Sequence, residues 1–279
     1  MTQRTLTLGH SPDPDDAFMF FGLASHRIDT EGWSFEHVLQ DIQTLNDRAL
    51  REELDITAVS IHAYPFIADR YALTHCGSSM GDGYGPMVVT RSPMGVEQLR
   101  GLWIAVPGER TTAFLALNLL LGRGEFRHDV VMFDRILDHV AAGRADAGLI
   151  IHEGQLTFQR HGLHLVVDLG AWWKESTGLP LPLGGNCIRR SLGGEAMVQV
   201  SRVLRRSIEY SLAHREEAVR HALAYARDMG VELADRFVGM YVNDWTIDYG
   251  PIGRRAIEEL LRRGSAIGMT PTLEQIDFV

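Results

Sequence analysis

The sequence predicts a two-lobed α/β protein with a ligand cleft between the lobes. Three observations carry that expectation. Short apolar runs alternate with segments of helical periodicity. The alternation restarts after a break at 90–101, as if a second lobe began there, and from residue 197 onward long amphipathic helices take over. Strands alternating with helices imply mainly parallel sheets. The 279 residues suffice for one large domain or two lobes with a well-buried core.

The first set has strands at 6–9, 33–38 and 56–60 and helices at 15–26 and 41–53. In the second helix Ile42, Leu45, Ala49 and Leu50 share one face. A short helical stretch at 62–69 and strands at 71–75 and 86–90 follow; the glycine-rich GSSMGDGYGP between these strands reads as a turn or hinge. The second set has strands at 102–106, 130–133, 147–151 and 165–169. Its helices are one ending at 121 and capped by Thr111 or Thr112, one at 135–142, and a short one opening at Trp172. Closing helices at 197–212, 216–229, 232–242 and 251–263 are expected to pack back on the first lobe. The larger lobe is expected to comprise 1–92 plus 187–279, and the smaller 93–186.

Charge and composition exclude several classes. Lys and Arg total 27 against 36 Asp and Glu, for a net charge of -9, which argues against sequence-independent nucleic-acid binding. No apolar run approaches the roughly 20 residues that span a bilayer. The opening MTQRTLTLGHSPDPDD has no apolar segment of signal-peptide type, so a cytoplasmic location is expected. Cys76 and Cys187 form no CxxC pair; two reduced thiols are expected, with neither a disulfide framework nor a cysteine-rich zinc site.

In open α/β sheets ligands sit at the carboxyl ends of strands. That rule selects the turns at 11–16, 60–62, 108–112 and 152–153. His152 follows the buried run AGLII directly, where an imidazole can exchange a proton near neutral pH. A structural histidine bonded to backbone is the alternative at such a strand end. The HExxH pattern fails because position 156 is Leu156, and the spacing of His161 and His164 matches no ligand set, so no metal is expected.

PGERTTAF places a tight turn before a hydroxyl-bearing helix start, which suits a carboxylate or phosphate as well as an ordinary N-cap. No GK[ST] follows, so it is not a phosphate loop of the Walker type. In SPDPDD, Asp13, Asp15 and Asp16 read as acids of a first helical turn rather than a calcium loop, and Ser11 can face the ligand. GDGYGP precedes a strand, not a helix, which excludes the dinucleotide fingerprint. Trp172 and Trp173 read as core packing before ring stacking.

Taken together, SPDPDDAFMF, VLQDIQTLNDRAL, DRYAL, GYGPMVV, AVPGERTTAF, AGLIIHEGQLTF, HLVVDLGAWWKESTGLPLPLG and RRSIEYSLAH run from the N-terminus past residue 210. They resemble the menaquinone-biosynthesis family of the futalosine pathway, most specifically its 1,4-dihydroxy-6-naphthoate synthase branch. The resemblance implies a periplasmic-binding-protein-like (type II) fold. It implies a carbon–carbon lyase that turns cyclic de-hypoxanthine futalosine into 1,4-dihydroxy-6-naphthoate without metal or organic cofactor. It places a catalytic base on His152, and ligand-pocket positions on Asn46, Ser60, Thr111, Thr112 and Ala113.

The expected partner is a small carboxylate substrate, with no nucleic acid and no membrane span, and a homodimer is left open. The chain departs from the family pattern at Asp13 and Asp15, where SPCPND is usual, at Ala58, where a lysine is usual, and at Asn186. Fewer cations and more carboxylates around an anion site bear on which substrate is taken. Two other functions share this fold expectation: a non-enzymatic solute-binding protein, and a chorismate-dehydratase-like enzyme of the same pathway.

Overall fold

The computed structural model describes residues 4–226 and 229–279. In chain order the strands are β1 (Arg4–His10), β2 (Trp33–Leu39), β3 (Ile56–Ser60), β4 (Tyr71–Leu73), β5 (Ser79–Gly81), β6 (Met87–Thr90), β7 (Trp103–Val106), β8 (Arg127–Val130), β9 (Ala147–Ile150), β10 (His164–Asp168) and β11 (Leu181–Arg189). The helices are α1 (Pro14–Met19), α2 (Phe21–Ala24), α3 (Ile42–Leu50), α4 (Thr112–Leu121), α5 (Ile136–Ala141), α6 (Gly154–Thr157), α7 (Leu169–Thr177), α8 (Gly194–Ala213), α9 (Arg215–Ala222), α10 (Val231–Tyr241), α11 (Asp244–Ile247) and α12 (Gly250–Ala266).

The strands form two sheets, one in each lobe. The first has the order β2-β1-β3-β11-β4, with β5 also paired to β11. The second has the order β10-β6-β9-β7-β8. The expectation of mainly parallel sheets is corrected: both are mixed. β1 runs parallel to β2 and β3, and β7 parallel to β8 and β9. β11 is antiparallel to β3, β4 and β5, and β6 is antiparallel to β9 and β10. Sequence patterning does not reveal β11, because Pro182, Gly184 and Gly185 are poor strand formers. Gly185 is required by packing: a Cβ there would lie 2.2 Å from the hydroxyl of the fully buried Tyr249.

β3 is buried along its whole length, as a strand covered on both faces must be, and its apolar run makes it easy to find. The helix expected at 15–26 breaks at Phe20 into α1 and α2, with Phe18, Phe20 and Phe21 all buried. The strand expected at 130–133 lies earlier, as β8. Its apolar signal misleads because Val130 and Met132 sit on an exposed edge, 55% and 52% exposed. The helix expected at 216–229 is α9 followed by a tight turn at Leu223–Tyr225, and positions 227–228 lie outside the described residues. Helices α8, α9 and α10 pack on α1 and α2, so the C-terminal part of the chain returns to the first sheet. Val200, Val203, Leu204 and Ile208 of α8 join Phe18, Phe20 and Phe21 in that core. Both cysteines are buried free thiols. Among the described residues no helix is long and apolar enough to cross a membrane.

Candidate active site

The carboxyl ends of β1, β3, β7 and β9 converge on one cavity. Ser11 follows β1, Ser60 ends β3, Thr111, Thr112 and Ala113 open α4 beyond β7, and His152 follows β9; all line it. Asn46 does not line the cavity. It is fully buried on α3 behind Ser60, donating from Nδ2 to Ser60 Oγ at 3.0 Å and accepting from the Ser60 N–H at 2.8 Å.

The α4 start follows from sequence. Thr111 is the N-cap, and its Oγ1 accepts from Phe114 N at 3.2 Å. In an α-helix the first N–H groups lack intrahelical acceptors, and at α4 two of them, those of Thr112 and Ala113, belong to residues on the cavity wall. Thr112 ties this start to the rest of the molecule: its hydroxyl donates to Leu183 O at 2.7 Å and accepts from His62 N at 3.1 Å.

His152 has φ +78, a left-handed conformation that non-glycine residues adopt rarely and that clusters at functional sites. Its Nδ1 lies 2.7 Å from Asp13 Oδ2. Its Nε2 is buried and has no hydrogen-bond partner among the described residues. The Phe133 ring packs against the imidazole, with centroids 4.1 Å apart. Burial pulls the His152 pKa down, but the charge of Asp13 and its hydrogen bond outweigh this, and the imidazole is held above its ordinary value.

Asp13 occupies the N-cap of α1, yet its side chain caps nothing there. Its carboxylate goes to His152 and also accepts from Ser11 Oγ. Asp16, in the first turn of α1, instead braces the turn before the helix, accepting from Ser11 N at 2.6 Å. Burial, reinforced by the Asp13 charge, pushes Asp15 up to about 7; burial and Asp15 push Asp16 well above the carboxylate range. No lysine or arginine lines the cavity among the described residues, so no cation offsets these carboxylates.

Sequence reasoning gives Asp13 only a place in a helical turn and misses Gln155, Phe237 and Tyr241 altogether. Tyr241 donates to Gln155 Oε1 at 2.7 Å, and α10 brings Phe237 and Tyr241 to the cavity from the far end of the chain. No local signal marks them; only the return of the C-terminal helices does. Ala58 and Asn186 line the wall beside Asp13 and Asp15, so all four departures from the family pattern face the ligand space. Trp173 is fully buried, its indole N–H on Pro180 O at 3.1 Å, and neither it nor Trp172 reaches the cavity. The GDGYGP turn is preceded by β5, which ends within it at Gly81. Asp13, His152 and Glu153 bring donor atoms within 4.8 Å of one another, a set that could hold a cation.

Two sheets with a cavity at facing strand ends define a two-lobed protein of the periplasmic-binding-protein-like fold. An alkanesulfonate-binding protein of Xanthomonas axonopodis shares it, with TM-score 0.72 at 12% identity over 96% of this chain and 94% of that one. A crystal structure of an Archaeoglobus fulgidus protein matches with TM-score 0.91 at 42% identity, over 96% of this chain and all of that one. A family model described as menaquinone biosynthesis matches residues 6–266. Two curated relatives are named 1,4-dihydroxy-6-naphthoate synthase. That of Thermus thermophilus is 44% identical over 95% of both chains, and that of Streptomyces coelicolor 39% identical over 98% of this chain and 97% of its own. The chain belongs to the menaquinone-biosynthesis family.

Proposed function

We propose that this protein is a carbon–carbon lyase of menaquinone biosynthesis that converts cyclic de-hypoxanthine futalosine to 1,4-dihydroxy-6-naphthoate, with His152 as general base. The observation that carries this reading is the buried Nε2 of His152 on the cavity wall, without a partner among the described residues, in a chain whose relatives bear the synthase name. His152 takes a proton from substrate carbon. The electron pair is taken up by the adjoining aromatic ketone as an enolate. As the enolate collapses the carbon–carbon bond breaks, its electrons leave with the departing fragment, which picks up a proton, and the second ring becomes aromatic. Aromatisation supplies the driving force, so the reading needs no metal or organic cofactor.

The substrate carboxylate is held by neutral donors. The Ser60 hydroxyl and the α4 N–H groups of Thr112 and Ala113 serve, beside Ser11 and Thr111 whose own protons are already given to Asp13 and Gly108 O, in a wall without lysine or arginine among the described residues. Closure of the lobes excludes water and brings the strand ends together. The same reading divides the chain into a larger lobe, 1–92 plus 187–279, and a smaller one, 93–186. We also place the enzyme in the cytoplasm, where its small, soluble substrate would be found.

The test is to incubate the purified protein with cyclic de-hypoxanthine futalosine and follow 1,4-dihydroxy-6-naphthoate by mass spectrometry. Product from the wild type supports the lyase. Substrate that binds a folded protein and is returned unchanged overturns it in favour of a solute-binding role.

A further inference from the structure

A general base needs one ring nitrogen free of protons and aimed by the other. We infer that Asp13 is the positioning residue that gives His152 this form, and that the pair assembles across the cleft. The inference rests on the proposed role of His152.

The geometry is specific. A carboxylate only accepts, so a ring nitrogen 2.7 Å from Asp13 Oδ2 carries the proton: Nδ1 is N–H, and in the neutral imidazole the lone pair sits on Nε2. That Nε2 is the atom with no partner among the described residues. Asp13 is itself held. Ser11 Oγ donates to the same carboxylate oxygen, and the residue is 1% exposed. An aspartate at a helix N-cap ordinarily bonds its own helix. Here the cap bond is absent and the carboxylate turns to a histidine instead, a departure that local structure does not explain.

The partners come from different sheets. Asp13 stands in the turn after β1 of the first sheet, and His152 follows β9 of the second. Separating the lobes therefore breaks the pair and leaves the imidazole unoriented. When the base acts, the substrate C–H proton goes to Nε2 and its electron pair stays on the substrate. Nδ1 keeps its proton, Asp13 stays ionised, and no oxidant or reductant is required.

Other charges face His152 as well. Asp15 and Asp16 come from the Asp13 turn and Glu153 from the adjacent position. On the other side, Asp134, Asp138, Arg160 and His161 line a neighbouring hollow that His152 also touches. The carboxylates act in the same direction as Asp13, favouring the imidazolium, whereas Arg160 and a protonated His161 oppose it. Asp13 differs from all of these in being hydrogen-bonded to the ring.

The experiment is nitrogen-15 NMR of the His152 ring in the full-length, substrate-free protein, with His152→Asn for assignment, alongside kcat and KM against pH for wild type and Asp13→Asn. Above its titration, where the ring is neutral, the wild-type imidazole is expected to carry its proton on Nδ1 with Nε2 bare. In Asp13→Asn the ring should change or mix tautomers, and its titration should move to lower pH. kcat should fall roughly 10²- to 10⁴-fold with little change in KM, and the acid limb of kcat/KM should follow the ring to lower pH. A neutral wild-type ring, observed above its titration, that is protonated on Nε2 overturns the inference, and because it needs no variant it stands even if Asp13→Asn does not fold. A loss of kcat in Asp13→Asn with tautomer and acid limb unmoved overturns it too, as a merely structural effect. The bare-Nε2 tautomer in a wild type that makes no product supports the pair and sinks the lyase reading separately.

Discussion

Asn46 and Ser60 are joined by two reciprocal hydrogen bonds: Ser60 N donates to Asn46 Oδ1 at 2.8 Å, and Asn46 Nδ2 donates to Ser60 Oγ at 3.0 Å. The second bond occupies an acceptor site on the Ser60 hydroxyl and so leaves its proton to be given elsewhere. Ser60 lines the cavity, where a carboxylate can take that proton. Asn46→Ala removes the clamp and leaves a buried N–H unpaired, so urea unfolding should show a loss of about 1–3 kcal/mol. KM for the proposed substrate should rise about tenfold with kcat nearly unchanged, since one hydrogen-bonding group loses its orientation. Asn46→Asp should raise KM further, because a carboxylate behind Ser60 claims the hydroxyl proton. An unchanged KM in both variants would remove Ser60 from the anion site.

His152 poses two demands at once, a chemical one at Nε2 and a backbone one at φ +78. His152→Asn separates them. Asparagine tolerates the left-handed region and offers no base. It should fold as the wild type does and lose roughly 10³-fold in kcat. His152→Ala loses the same chemistry and adds backbone strain, so it should be less stable than His152→Asn by about 1 kcal/mol, read from urea midpoints. Equal stability of the two variants would mean that the turn relaxes without strain.

Much of this site is legible in the amino-acid sequence, and the reason is local. His152, Ser60 and the α4 start each sit where an apolar run stops, and a strand end is a short-range signal. The 139 positions from Asp13 to His152 carry no such signal, since the pair exists only because two sheets face one another. The same limit hides Tyr241, which arrives on a returning helix, and β11, whose prolines and glycines disguise a strand that long-range pairing enforces. β8 fails for the opposite reason, an apolar run lying on an exposed edge. Asp15 and Asp16 fall in a helical first turn as expected, but their elevated proton affinity depends on burial that only the assembled cavity provides.

Asp15 makes stability depend on pH in a direction opposite to the usual carboxylate. Burial and the Asp13 charge raise it from 3.8 to about 7, so folding favours its protonated form. Its unfavourable contribution is absent below the unfolded value near 3.8. It grows as pH rises towards 7 and is constant above that. Asp15→Asn should therefore stabilise the protein little at pH 4 and by something on the order of 2 kcal/mol at pH 8. Urea denaturation at the two values measures the difference. A gain that is equal at both would mean that Asp15 is ionised throughout.

Asp13, His152 and Glu153 bring three metal-type donors together, with their atoms within 4.8 Å of one another. A zinc ion bound through Nδ1, the nitrogen beside Asp13, would need that nitrogen deprotonated, and Nδ1 holds the proton that Asp13 accepts. Metal and the Asp13–His152 hydrogen bond are therefore alternatives. If the bonded form is the working one, dialysis against EDTA should leave activity unchanged, and added Zn²⁺ should inhibit, more strongly at pH 8 than at pH 6 because protons compete for the same nitrogen. Glu153→Gln removes a donor and should weaken the inhibition while leaving the Asp13 bond to His152 in place. Activity lost to EDTA and restored by Zn²⁺ would reverse the assignment and make the three residues a metal site, with His152 a ligand and no longer a base.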